Sequence, residues 1–148
     1  MTEGEVWLVV VVTTLAVIAC VVLHYEGLSW LSKLRFGKPG DRHRVLFMIF
    51  CILMLHIAEV WIFGMTYYFL LLEGNVGTLV GMEQVNVFDA VYFSATVFST
   101  LGFGDIAPTG AIRFMTGTQS ITGLTLITWS ASFTFIEMQK IFEHRDDE

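Results

Sequence analysis

Ser99-Thr100-Leu101-Gly102-Phe103-Gly104-Asp105 sets two glycines, one residue apart, directly before a lone carboxylate. The stretch follows FDAVYFSATVFS (88–99), about a dozen residues, which is enough for a short re-entrant helix and too few to cross a bilayer. Asp89 falls in the first turn of that piece, where a carboxylate suits a helix N-terminus. A loop, EGNVGTLVGMEQVN (73–86), comes before it and IAPTGA (106–111) comes after TLGFGD.

The surroundings are those of a membrane protein, since 55% of the 148 residues are hydrophobic, 14% aromatic and only 15% charged, far from a soluble average. Val6 to Tyr25 and Phe114 to Ile136 contain no Asp, Glu, Lys or Arg, and Val45 to Leu72 is interrupted only by His56 and Glu59. At roughly 20 residues per crossing, these runs predict three spanning helices. The segment from Glu73 to Arg113 is too polar and glycine-rich to be a fourth. Non-helical backbone at membrane depth persists only where protein buries it or water bathes it, so TLGFGD is expected to line something wet.

Orientation follows from the cations. Lys33, Arg35, Lys38, Arg42 and Arg44, five of the eight Lys and Arg residues, lie between the first and second runs, and the positive-inside rule puts that linker in the cytoplasm. The N-terminus and the 73–113 segment are then expected outside, with the tail inside, in a multi-pass protein of the plasma or inner membrane. The start, MTEGE, has neither the basic flank nor the small-residue cleavage site of a secretory signal, so the first helix is expected to stay. A net charge of −6 argues against nucleic acid as a partner. Cys20 and Cys51 fall inside predicted spans and read as inert thiols rather than a disulfide.

Thr100-Leu101-Gly102-Phe103-Gly104-Asp105 resembles the selectivity-filter signature of potassium channels, TVGYG in its usual form. DAVYFSATVFSTLGFGD is most similar to the filter regions of two-pore-domain channels, although this chain holds one such region, as a bacterial-type ion channel subunit does. The resemblance extends from about Val45 to Lys140: an outer helix (45–72) with Trp61, Tyr67 and Tyr68 as an aromatic belt, a pore helix (88–99), the filter (100–105) and an inner helix (113–137). It implies an all-α membrane protein with a potassium-channel-like pore domain over 45–140. Residues 1–44 would add an extra helix and basic linker, and 141–148 a short cytoplasmic tail.

A potassium ion exchanges its water shell for a cage of backbone carbonyls, and successive residues stack their carbonyls toward one side only by alternating in handedness. Gly102 and Gly104 can take positive φ, which alanine resists. By the resemblance, Thr100, Leu101, Gly102, Phe103 and Gly104 would form the ion-coordinating filter, with K+ held at the first four, and Leu101 and Phe103 would turn their side chains back against the pore helix. Asp105 would sit at the outer mouth and tie the filter to that helix, with Tyr92 and Thr96 as filter support. Phe103 lacks the hydroxyl that many relatives carry there. One filter per chain implies a homotetramer, with K+ and the lipid bilayer as further partners and no cofactor.

In the last run Thr122, Gly123, Thr125, Thr128, Ser130 and Ser132 suit either close helix packing or a wet cavity, with Thr125 and Ser132 the candidates for lining it. Gly123 is the candidate hinge. No arginine-rich voltage sensor is present, and QKIFEHRDDE (139–148) is too short for a regulatory domain. His56 and Glu59, at i and i+3 on one face of a predicted span, are functional suspects by default: a pH-sensing pair, or a structural hydrogen bond between helices. HIAE lacks the second histidine of a hydrolytic metal motif, so no enzyme is expected. The function implied is passive K+ conduction; a nonselective cation channel and a non-conducting scaffold or sensor are the alternatives.

Overall fold

A computed structural model describes residues 2–34 and 42–146; Arg35 and Lys38 of the basic linker lie outside them. Four helices carry the fold: α1 (Glu3–Lys33), α2 (Arg42–Glu73), α3 (Val87–Phe98) and α4 (Ile112–Asp146). α1 and α2 are each long and apolar enough to cross a membrane. With 31 residues at about 1.5 Å each, α1 exceeds a hydrocarbon core of about 30 Å. α4, at 35 residues, is longer still but is diluted by hydroxyl and small residues, and it does not reach the same apolarity.

Local chemistry sets the helix starts. Thr2 N–H donates to the Glu5 carboxylate at 2.7 Å, one half of a capping box, and Glu3 and Glu5 complement the positive helix end. The Asn86 side chain accepts from Phe88 N–H at 2.9 Å, so α3 begins one residue before the expected 88. α3 ends where Ser99 N–H bonds to the Ala95 carbonyl.

The first helix does not stand apart. Val9, Thr13, Ala16, Cys20, His24, Leu28 and Leu31 are buried at steps of three and four, a single stripe that packs on α2 and α4. The opposite face of α1 leaves Leu15, Ile18 and Val22 exposed, and α2 leaves Leu46, Phe50 and Leu53, the outward apolar surface expected in lipid. Phe63, Tyr67, Ala90, Phe93, Ile112, Met115 and Leu126 form the core between α2, α3 and α4. Tyr67 therefore does not belong to an outer aromatic belt: it is fully buried, meets Phe93 edge-on and donates its hydroxyl to Thr116 Oγ1 at 3.2 Å. Trp61 is 41% exposed. Cys20 and Cys51 are both free thiols.

A two-residue antiparallel pair, β1 (Leu79–Val80) with β2 (Ala107–Pro108), aligns Leu79 with Pro108 and Val80 with Ala107. Thr78 and Thr109 lock its end: Thr109 N–H donates to the Thr78 carbonyl at 2.9 Å and their hydroxyls meet at 2.8 Å. The loop before α3 is thereby fastened to the segment after the glycine stretch. Both ends of the 99–105 loop are held.

Candidate functional site

The 100–104 backbone alternates in handedness, with φ of +59° at Thr100, +54° at Gly102 and +83° at Gly104. Positive φ at the two glycines is what their sequence pattern anticipates. Positive φ at Thr100 is not, because a β-branched residue there is a genuine outlier. That strain is held by the end of α3: Thr100 N–H donates to the Val97 carbonyl at 3.0 Å, and Leu101 and Gly102 N–H share the Thr96 carbonyl at 2.9 and 3.2 Å. Thr96 supports the loop through this carbonyl and not through its hydroxyl, which turns back to the Phe93 carbonyl at 2.8 Å.

The outer end of the loop is tied by two contacts to one residue. Tyr92 donates its hydroxyl to Asp105 Oδ2 at 2.8 Å, and the Phe103 ring stacks on the Tyr92 ring, with centroids 6.5 Å apart and planes 5° from parallel. The bond to Asp105 holds the Tyr92 phenol above its usual range. Asp105 Oδ1 accepts from Ile106 N–H. In the single chain Leu101 is 59% exposed and Phe103 65%. The loop docks on α3 through the backbone N–H of Leu101.

On α4, Thr125, Thr128 and Ser132 are exposed in the single chain; each donates its hydroxyl to the carbonyl four residues back. Thr122 and Ser130 are buried. Gly123 has a packing reason: a Cβ there would overlap the Phe98 carbonyl oxygen, with Phe98 Cα at 3.0 Å. Gln119 was not singled out by sequence, yet its Nε2 donates to the Ser94 carbonyl and hydroxyl at 3.1 and 2.7 Å, and Ser94 Oγ donates to the Val60 carbonyl. This chain of bonds runs from α4 through α3 to α2.

The His56–Glu59 pair is one part of a larger cluster. Glu59 is fully buried; its Oε2 lies 2.9 Å from His56 Nδ1 and its Oε1 lies 2.8 Å from Nδ1 of His24, also fully buried. His24 comes from α1, 35 residues away, so the second histidine missing from HIAE is supplied across helices. The signal was present in sequence: an imidazole in an otherwise apolar span is a functional suspect. Ser130 Oγ of α4 lies 3.3 Å from His24 Nε2, and the His24 and His56 rings are 5.5 Å apart.

Two helices long and apolar enough to cross a bilayer, followed by a short helix and a handed loop pinned ahead of α4, are an arrangement suited to a membrane ion channel. A family model described as "Ion channel" matches residues 45–140, and the chain belongs to that family. It is also 28% identical over 122 residues to an uncharacterized membrane protein, YdjJ, of Bacillus subtilis (strain 168). The match covers 79% of this chain but 36% of the relative, so the chain spans about a third of that protein's length. No solved structure matches.

Proposed function

We propose that four copies of this chain form a potassium-selective pore that passes K+ passively across the cell membrane. The observation that carries this reading is the alternation of positive φ at Thr100, Gly102 and Gly104 directly after a 12-residue helix. Alternating handedness turns successive carbonyls toward one side, as a cage for a dehydrated ion requires, and the carbonyls of Thr100, Leu101, Gly102 and Phe103 would supply its rings. A single chain contributes one such edge, and four around an axis close the cage.

In that assembly α1, α2 and α4 span the bilayer, α3 enters and returns, and Asp105 concentrates cations at the outer mouth. Exposed Leu101, Ile121 and Leu124 would be covered by neighbouring copies, and Thr125 and Ser132 would face the cavity. The test joins mass measurement in detergent with flux in liposomes under a potassium gradient. A tetramer passing K+ at least tenfold faster than Na+ is the expected outcome. A dimer, or equal fluxes of the two ions, would overturn it.

The membrane orientation rests on the cation count. Thr2→Cys is expected to react with an impermeant thiol reagent applied outside, and Lys38→Cys only after permeabilisation. Labelling of Lys38→Cys from outside would invert the map and put the 99–105 loop on the wrong side.

A further inference from the structure

We propose that His24, His56 and Glu59 form a binding site for a borderline divalent transition metal, Zn2+ by preference, that clamps α1 to the channel core. This does not rest on the potassium reading, since none of the three belongs to the 99–105 loop, although the His56 ring packs on Phe98, directly before it, at 5.7 Å. One ligand atom from each of them falls within 4.8 Å of the other two. Two imidazole nitrogens and a carboxylate oxygen form a donor set that suits Zn2+, with bonds of about 2.0–2.2 Å and water in the fourth position. The Nδ1–carboxylate separations of 2.8 and 2.9 Å are hydrogen bonds to the two different oxygens of Glu59, and spreading each by about half an ångström would reach the roughly 3.3–3.6 Å between neighbouring ligands of a tetrahedral ion.

Charge argues the same way. Ligating imidazoles are neutral, so the cluster would carry one negative charge in the protein interior, and burying it is costly unless a cation offsets it. The contacts that the carboxylate makes are the two imidazoles. When Nδ1 of His24 takes the metal, its proton moves to Nε2, where Ser130 Oγ stands 3.3 Å away as acceptor. A hydrogen-bonded far nitrogen is the usual second support of a metal-bound histidine, which makes Ser130 a positioning residue. Cys20 stays out of the donor set, since its thiol faces the Glu59 backbone carbonyl at 3.9 Å. His56, 17% exposed, is the side from which ion and water would enter.

The site spans three helices: its ligands bind α1 to α2, and Ser130 extends the link to α4. The experiment uses the full chain in detergent, stripped with EDTA and titrated with Zn2+ and, separately, with Co2+. Expected are one Zn2+ per chain, a rise in melting temperature that EDTA reverses, and a cobalt spectrum of nitrogen and oxygen ligands without a thiolate band. His24→Gln should remove the binding, and Ser130→Ala should weaken it by roughly 10- to 100-fold. Should His24→Gln fail to fold, the wild-type stoichiometry, the cobalt spectrum and Ser130→Ala decide. No Zn2+ bound by the wild type, which would leave protons alone to neutralise the cluster, a thiolate band with Co2+, or unchanged affinity in a folded His24→Gln would each overturn the proposal.

Discussion

Gly104→Ala is expected to reduce ion flux through the reconstituted protein at least tenfold while the protein still assembles. The reason is conformational rather than spatial. A Cβ at Gly104 would meet nothing within 4 Å, but the residue sits at φ +83°, and an L-residue held in the left-handed region costs on the order of 1–2 kcal/mol. Each 1.4 kcal/mol or so is a factor of ten in population, and in the proposed tetramer every copy would bear the same strain. Flipping that residue to negative φ relieves it by turning a carbonyl out of line, which damages conduction and leaves the helix contacts alone. Gly74→Ala is the control: that glycine also has open space and positive φ, at +73°, but it lies in the loop after α2. Its replacement should have a similar effect on stability and leave flux intact. Liposome flux and gel filtration on both variants make the comparison. Unchanged flux and selectivity in Gly104→Ala would show that the handed backbone is not what the glycine is for.

Gly123→Ala is expected to lower the melting temperature sharply, with a destabilisation of about 3 kcal/mol, the upper part of the range for overpacking. The added methyl would overlap the carbonyl oxygen of Phe98 and crowd its carbonyl carbon, at 2.9 Å. These are backbone atoms, and no rotamer change moves them aside. α4 and the end of α3 must separate, and Phe98 leads directly into Ser99 and Thr100, so the glycine loop moves with them. A hinge predicts the opposite sign: alanine raises helix propensity by about 1 kcal/mol over glycine, so a glycine retained only for bending would give a protein as stable or more stable, altered in opening alone. Thermal melting in detergent separates the two. A Gly123→Ala protein that melts at or above the wild-type temperature would overturn the packing role and favour the hinge.

The features legible in sequence are those carried by contiguous residues. Helix length and apolarity announced α1 and α2 as membrane-crossing helices. The brevity of 88–99 announced a helix that cannot cross. Two glycines spaced by one residue announced positive φ at both, because only glycine takes it without strain. Each of these is a local constraint, satisfied or not within a few turns of chain.

Four other features were decided only by the tertiary structure. Tyr67 faces the core rather than an outer belt because the rotation of α2 about its axis is set by what α3 and α4 present to it. Thr100 takes positive φ because α3 ends where its last carbonyls can capture three successive N–H groups. The two-residue pairing of Leu79–Val80 with Ala107–Pro108 is too short to leave any alternation in the sequence. The fourth is the His24–Glu59–His56 cluster, whose members were each visible as polar residues in apolar runs. Their meeting depends on how α1 is rotated and slid against α2, over separations of 35 residues to Glu59 and 106 to Ser130. Periodicity specifies which side of a helix is apolar, but only side-chain packing between helices sets the height and angle at which two such sides meet.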